Sequence, residues 1–188
     1  MPSIRLIRIR RWLVPAALAA ALAAAAPAAV PESAGNAALP PGILALDGRP
    51  APPLALADMD GYRFDLRQAR GHWVFVHFWA SWCGPCRREM PAIQRMARRI
   101  GDPRLRIELV NVAESADTVF TFLGVTAPDL STLLDRNGTV ANRWEPRGLP
   151  ATYLVDPKGR LRYQALGGRP WDEPAYLRFL RRLLGSHQ

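Results

Sequence analysis

Cys83 and Cys86 are separated by two intervening residues, and the 188-residue chain contains no other cysteine. An apolar run, Trp73 to Trp79, leads into the pair, and a polar segment of helical character, Arg87 to Ile100, leads out of it. A strand that turns sharply into a helix puts Cys83 at the helix N-terminus, where unpaired backbone N–H groups and the helix dipole favour a thiolate. Cys86 follows within the first turn, close enough to close a disulfide with Cys83. A thiolate that attacks foreign disulfides, with a second thiol to release the product, is a redox device. A purely structural bridge across two residues would constrain almost nothing in the unfolded chain. A structural zinc site needs four ligands. The two cysteines are joined only by His72, His77 and His187, with no second cysteine pair and no His-x-x-x-His spacing, so no metal site is expected.

The elements that must position this pair can be read in order. Trp73-Val74-Phe75-Val76-His77-Phe78-Trp79 is apolar except for His77, the pattern of a central strand covered on both faces. The helix from Cys83 should continue past Pro91, kinked by that residue's missing N–H. Leu105 to Val112 reads as a second buried strand. Ala116 to Leu123 reads as a short helix with Asp117 and Thr118 in its first turn. Asn137-Gly138 marks a turn before a helical stretch, Thr139 to Trp144. Ala151 to Val155 and Leu161 to Ala165 are strands joined by Asp156-Pro157-Lys158-Gly159. Pro174 to Leu184 is an amphipathic helix with Leu177, Leu180, Leu183 and Leu184 on one face. Upstream, Leu54-Ala55-Leu56 and Tyr62 to Leu66 flank Asp58-Met59-Asp60-Gly61 as a hairpin. The sum is an α/β fold, a central mixed sheet flanked by helices with an added N-terminal β-hairpin.

Residues 1–30 read as a signal peptide or signal anchor. Basic residues up to Arg11 precede an uncharged Ala/Leu-rich run from Trp12 to Val30, and Ala24-Ala25-Ala26 and Ala26-Pro27-Ala28 offer small-x-small cleavage sites. That run approaches the length of a bilayer span, which makes retention of residues 12–30 as a membrane anchor the alternative. Alanine is weakly apolar, however, and Pro15 and Pro27 interrupt the run, which favours cleavage. Residues 31–53, rich in Pro, Ala and Gly without periodicity, are expected to be a linker, leaving one folded domain over residues 54–186. The net charge is +9, from 25 basic against 16 acidic residues, and Arg5, Arg8, Arg10 and Arg11 supply four of those positive charges. The remaining arginines, among them Arg87, Arg88, Arg95, Arg98 and Arg99, are not interleaved with aromatic residues. A solvated basic surface is expected, and no nucleic-acid partner.

The run Val76-His77-Phe78-Trp79-Ala80-Ser81-Trp82-Cys83-Gly84-Pro85-Cys86-Arg87-Arg88-Glu89-Met90-Pro91 resembles the thioredoxin fold. More narrowly, it is similar to the exported TlpA/ResA thiol-disulfide oxidoreductases. Gly148-Leu149-Pro150-Ala151-Thr152, Val110-Asn111-Val112 and Leu154-Val155-Asp156-Pro157-Lys158-Gly159-Arg160 extend the match over roughly residues 50 to 184. The resemblance implies a thioredoxin fold and an enzyme with Cys83 as exposed nucleophile and Cys86 as resolving thiol. It needs no cofactor beyond the redox-active Cys83–Cys86 disulfide. Gly84 and Pro85 match the thioredoxin dipeptide and would help set redox poise. Leu149-Pro150 resembles the family's cis-proline element, which would place Leu149 and Pro150, with Trp82, Gly84 and Pro85, along the substrate groove. Trp79 and Trp82 would cover the cysteines.

The family often carries a carboxylate at the position of Glu89, where it is held to affect thiol acidity; a surface glutamate paired with Arg87 or Arg88 is the other reading. His77 is a departure, since cytoplasmic thioredoxins carry aspartate there and TlpA-like proteins often asparagine. Its imidazole either accepts the Cys86 proton or is a neutral, hydrogen-bonded core residue. The activity implied is periplasmic reduction of disulfides in client proteins, such as apocytochrome c or metal-site assembly proteins. In an oxidising compartment such a reductase needs a membrane thiol electron carrier to recharge it. The rival readings are a disulfide oxidant or isomerase, and a copper(I)-binding assembly factor using both thiolates.

Overall fold

The computed structural model describes residues 38–185; the expected targeting segment, its anchor reading and residues 31–37 of the expected linker lie outside them. The chain runs β1 (Ile43–Ala45), β2 (Ala55–Ala57), β3 (Arg63–Asp65), a short 3-10 turn (Leu66–Ala69), β4 (Trp73–Trp79) and α1 (Gly84–Ile100). It continues with β5 (Leu105–Val112), α2 (Ala116–Thr126), β6 (Leu133–Asp135), α3 (Thr139–Trp144), β7 (Ala151–Val155), β8 (Leu161–Leu166) and α4 (Pro174–Gly185). Six strands form one sheet in the order β1-β8-β7-β4-β5-β6, while β2 and β3 make a separate hairpin.

β4 sits inside the sheet, parallel to β5 and antiparallel to β7, and all seven of its residues are buried. That dictates its composition: a strand covered on both faces cannot show polar alternation. Trp73, Phe75 and Trp79 belong to the core beneath α1 and α4, with Met90, Ile93, Met96, Trp171 and Phe179. Val74, Val76 and Phe78 belong to a second core on the other face, with Phe64, Val140, Trp144 and Tyr153. Edge-on aromatic contacts fasten both layers, Phe75 with Trp171 at 4.8 Å and Trp144 with Tyr153 at 5.3 Å between ring centroids. β5 spans the residues expected. α1 is continuous through Pro91 and ends on Gly101, whose left-handed φ of 52° lets its N–H return to the Ala97 carbonyl.

Three assignments differ from the sequence reading. Residues 38–53 are not a tether: β1 pairs antiparallel with β8, placing Ile43 opposite Ala165. Beyond it, Leu46 donates to the Arg162 carbonyl and Ala51 to that of Gly159, so the chain tracks β8 for its length. A three-residue edge strand between Pro and Gly residues has too few positions to reveal a period, and its pairing partner lies more than a hundred residues away. β6, unassigned in the sequence, escapes for the same reason; it is short and defined by parallel pairing with Val110 to Val112. The hairpin forms one residue later than expected on its first strand. Asp58 Oδ1 accepts from the N–H groups of Asp60 and Tyr62, and Gly61 takes a φ of 85° to close the turn.

Candidate functional site

β4 ends at Trp79, and four residues later Cys83 is the N-cap of α1, with Pro85 in the first turn, where a missing N–H costs nothing. Cys83 and Cys86 are disulfide-bonded, their Cα atoms 5.2 Å apart. Cys83 Sγ accepts the Cys86 N–H at 3.2 Å, so the sulfur itself satisfies one of the helix's orphan donors. The exposed nucleophile implied by the resemblance is more covered than that: in the bridged pair Cys83 is 5% exposed and Cys86 fully buried. Trp82 beside them is 68% exposed, and Pro85 also faces solvent. Trp79 does not lie over the pair at the surface. Its ring is wholly buried, its Nε1–H donating to Thr132 Oγ1 at 3.1 Å.

The turn between strand and helix is held by a residue that sequence reasoning missed. Glu114, after β5, accepts the backbone N–H of Ser81 at 2.7 Å, the Ser81 hydroxyl, and the Asn111 side-chain amide at 2.7 Å. One carboxylate thus ties the end of β5 to the loop carrying Trp82 and Cys83, and nothing in local sequence marks it. The Leu149–Pro150 peptide is cis. Because Phe78 faces Ala151 across the β4–β7 ladder, Pro150 sits at the end of the sheet from which the cysteine loop departs.

Glu89 is buried and pairs with neither Arg87 nor Arg88. Its Oε1 accepts the backbone N–H of Arg169 at 2.9 Å and the Trp171 Nε1–H at 2.5 Å. Burial pushes its carboxyl up to about 7, against the opposing pull of those two hydrogen bonds and the Arg169 charge. His77, on the α1 side of β4, is wholly buried; its Nδ1 lies 2.9 Å from Thr152 Oγ1 and its Nε2 3.8 Å from Glu89 Oε2. Desolvation lowers the imidazole to about 3, so it is neutral across the physiological range. The sequence reading gave none of Thr152, Arg169 and Trp171 a role in the site; Thr152 entered it only within the match around Leu149-Pro150. The one local signal was Gly167-Gly168, where the chain returns past α1: a Cβ on Gly168 would lie 3.5 Å from the Pro85 carbonyl.

The AhpC/TSA family profile matches residues 48–164, more than half of the chain. The chain belongs to that family. Among its relatives, the thiol-disulfide oxidoreductase ResA of Bacillus subtilis (strain 168) is 31% identical over 115 residues, which are 61% of this chain and 64% of ResA. The ResA of Halalkalibacterium halodurans is 30% identical over 125 residues, 66% of this chain and 71% of that protein. The chain therefore spans a little under two thirds of the length of the first of these relatives. In three dimensions, a thiol:disulfide interchange protein from Chlorobium tepidum superposes with a TM-score of 0.63 at 20% identity, covering 74% of this chain and 99% of that one. StoA of Bacillus subtilis gives 0.59 at 19% identity, covering 71% and 97%. Identities this low speak to the fold alone, and the fold is thioredoxin-like.

Proposed function

We propose that this AhpC/TSA member is an exported thiol-disulfide oxidoreductase that reduces disulfides in client proteins. The observation that carries this is the Cys83–Cys86 disulfide closed between the N-cap and first turn of α1. In the reduced protein the Cys83 thiolate, favoured by the α1 N-terminus, attacks one sulfur of a client disulfide. A mixed disulfide forms and the other client sulfur leaves as a thiolate. Cys86 then loses its proton and attacks Cys83 Sγ; the second client sulfur leaves, and two electrons have passed to the client. Cys83 is the entry point because it alone of the two keeps any exposure, beside the exposed Trp82 and Pro85. Leu149 and Pro150, at the same end of the sheet, flank the path of an extended client segment. A membrane thiol carrier returns the electrons, outside the cytoplasmic membrane, to which residues 12–30 deliver or tether the domain. Clients with haem-binding or metal-binding cysteine pairs suit such a reductase.

Cys83→Ser abolishes insulin reduction, and Cys86→Ser accumulates mixed disulfides with clients; undiminished turnover by Cys83→Ser overturns the mechanism. A reduction potential near that of thioredoxin, roughly −270 mV, supports the reductive direction, whereas one near roughly −120 mV makes the protein an oxidant.

A further inference from the structure

Two buried side-chain atoms face each other with no hydrogen-bond partner of their own: His77 Nε2 and Glu89 Oε2, 3.8 Å apart. The other polar atom of each group is committed, Glu89 Oε1 to Arg169 and Trp171, and His77 Nδ1 to Thr152 Oγ1. Thr152 is buried as well and sits opposite His77 in the β4–β7 ladder. A buried polar atom left without a partner costs about 1–3 kcal/mol. Two such atoms that face one another are satisfied together by a single proton between them, after a side-chain shift of about an ångström or through one bridging water.

With a neutral imidazole only two arrangements serve both ring nitrogens. In the first, Glu89 is a carboxylic acid donating Oε2–H to Nε2, and Nδ1–H donates to Thr152 Oγ1. In the second, Glu89 is ionised and accepts Nε2–H, and the Thr152 hydroxyl donates to a bare Nδ1. We propose that Glu89, His77 and Thr152 form one proton-holding unit in which ionisation of Glu89 switches the His77 tautomer and reverses the Thr152 hydroxyl. Thr152 thereby becomes a positioning residue, acting on Glu89 through the imidazole. The unit reaches from α1, three residues past Cys86, across β4 to β7, two residues past the cis peptide. Glu89 also lines a cavity of about 570 Å³ with Pro85, Arg88, Gly168 and Arg169, which gives its proton a route to solvent.

The charged and titratable groups around Glu89 are Arg88 and Arg95 on α1, Arg169, Asp172 and Glu173 on the segment after β8, and Tyr176 on α4, with Cys86 three residues before it on α1. Arg169 favours the ionised carboxylate and burial opposes it. The use of the unit in turnover rests on the dithiol reading above. There, Cys86 Sγ–H yields its proton to ionised Glu89 as the sulfur attacks Cys83, the tautomer reverts, and the client thiolate is protonated from solvent.

The test is ¹⁵N NMR of the histidine ring in the oxidised protein, where neither cysteine titrates, alongside the ¹³C shift of the Glu89 carboxyl. The expected result is Nδ1–H at acid pH and Nε2–H at alkaline pH, with one midpoint shared by both signals. Thr152→Ser keeps the switch. Thr152→Val removes both the acceptor for Nδ1–H and the donor to bare Nδ1; because an orphaned buried N–H is the worse of the two losses, it holds His77 as Nε2–H and shifts the Glu89 midpoint to lower pH. A His77 that keeps one tautomer while Glu89 titrates in the wild type, or an unmoved Glu89 midpoint in folded Thr152→Val, overturns the unit. Insulin reduction measured on the same samples separates the two ideas. A missing switch with full turnover sinks only this proposal, and a present switch with no turnover sinks only the function.

Discussion

Glu89→Gln removes a buried ionisable group while preserving its shape and its acceptor atom for Arg169 and Trp171. In the folded protein the carboxyl is pushed from its ordinary value of 4.5 up to about 7 by burial. The folded state therefore holds a proton that the unfolded chain has already released, so stability falls as pH rises through that interval. At about 1.4 kcal/mol per factor of ten in proton affinity, the loss is about 3 kcal/mol once Glu89 is ionised in both states. Roughly three-quarters of it develops between pH 5 and pH 8. The substituted amide does not titrate, so the stability of the variant minus that of the wild type climbs by about 2–3 kcal/mol across that range. Urea unfolding of both oxidised proteins at several pH values measures it. Taking the difference matters, because Glu108 is also pushed up to about 7 by burial and His77 is lowered to about 3. Both of those contributions are common to the two proteins. A difference that stays flat within about 0.5 kcal/mol from pH 5 to pH 8 refutes the assignment of Glu89 as a buried, raised carboxyl.

Two further outcomes follow from the supports of the site. Glu114→Ala strips the acceptors from Ser81 and Asn111 and costs about 3 kcal/mol in thermal or urea unfolding, with faster amide exchange at Ser81 and Trp82; unchanged exchange there counts against a tethered loop. Ser115→Ala removes the α2 N-cap bond to the Thr118 N–H and costs about 1 kcal/mol, read from the urea midpoint with an unaltered m-value.

Local chemistry made much of the architecture legible in advance. The apolar run of β4, the glycine and proline at the entry of α1, the turn at Gly138 and the leucine stripe of α4 each speak within a few residues of themselves. Together they put Cys83 at a helix N-terminus, and the structure has it there as the N-cap. The edge strands were not legible, because β1 and β6 exist only through their neighbours β8 and β5.

Around Glu89 the division is sharper. Its position one turn beyond Cys86 is written in the chain, but its environment comes from Arg169 and Trp171, 80 and 82 residues away. His77 likewise takes its meaning from Thr152, 75 residues on, and Ser81 from Glu114, 33 residues on. By itself, then, the sequence determined which residues could do thiol chemistry and the strand-turn-helix that presents them, since these follow from short-range sterics and hydrophobic period. Tertiary packing alone decided which carboxyl is dry, which ring nitrogen faces it, and which loop is tied down. Those properties depend on water removed by distant segments folding over the site.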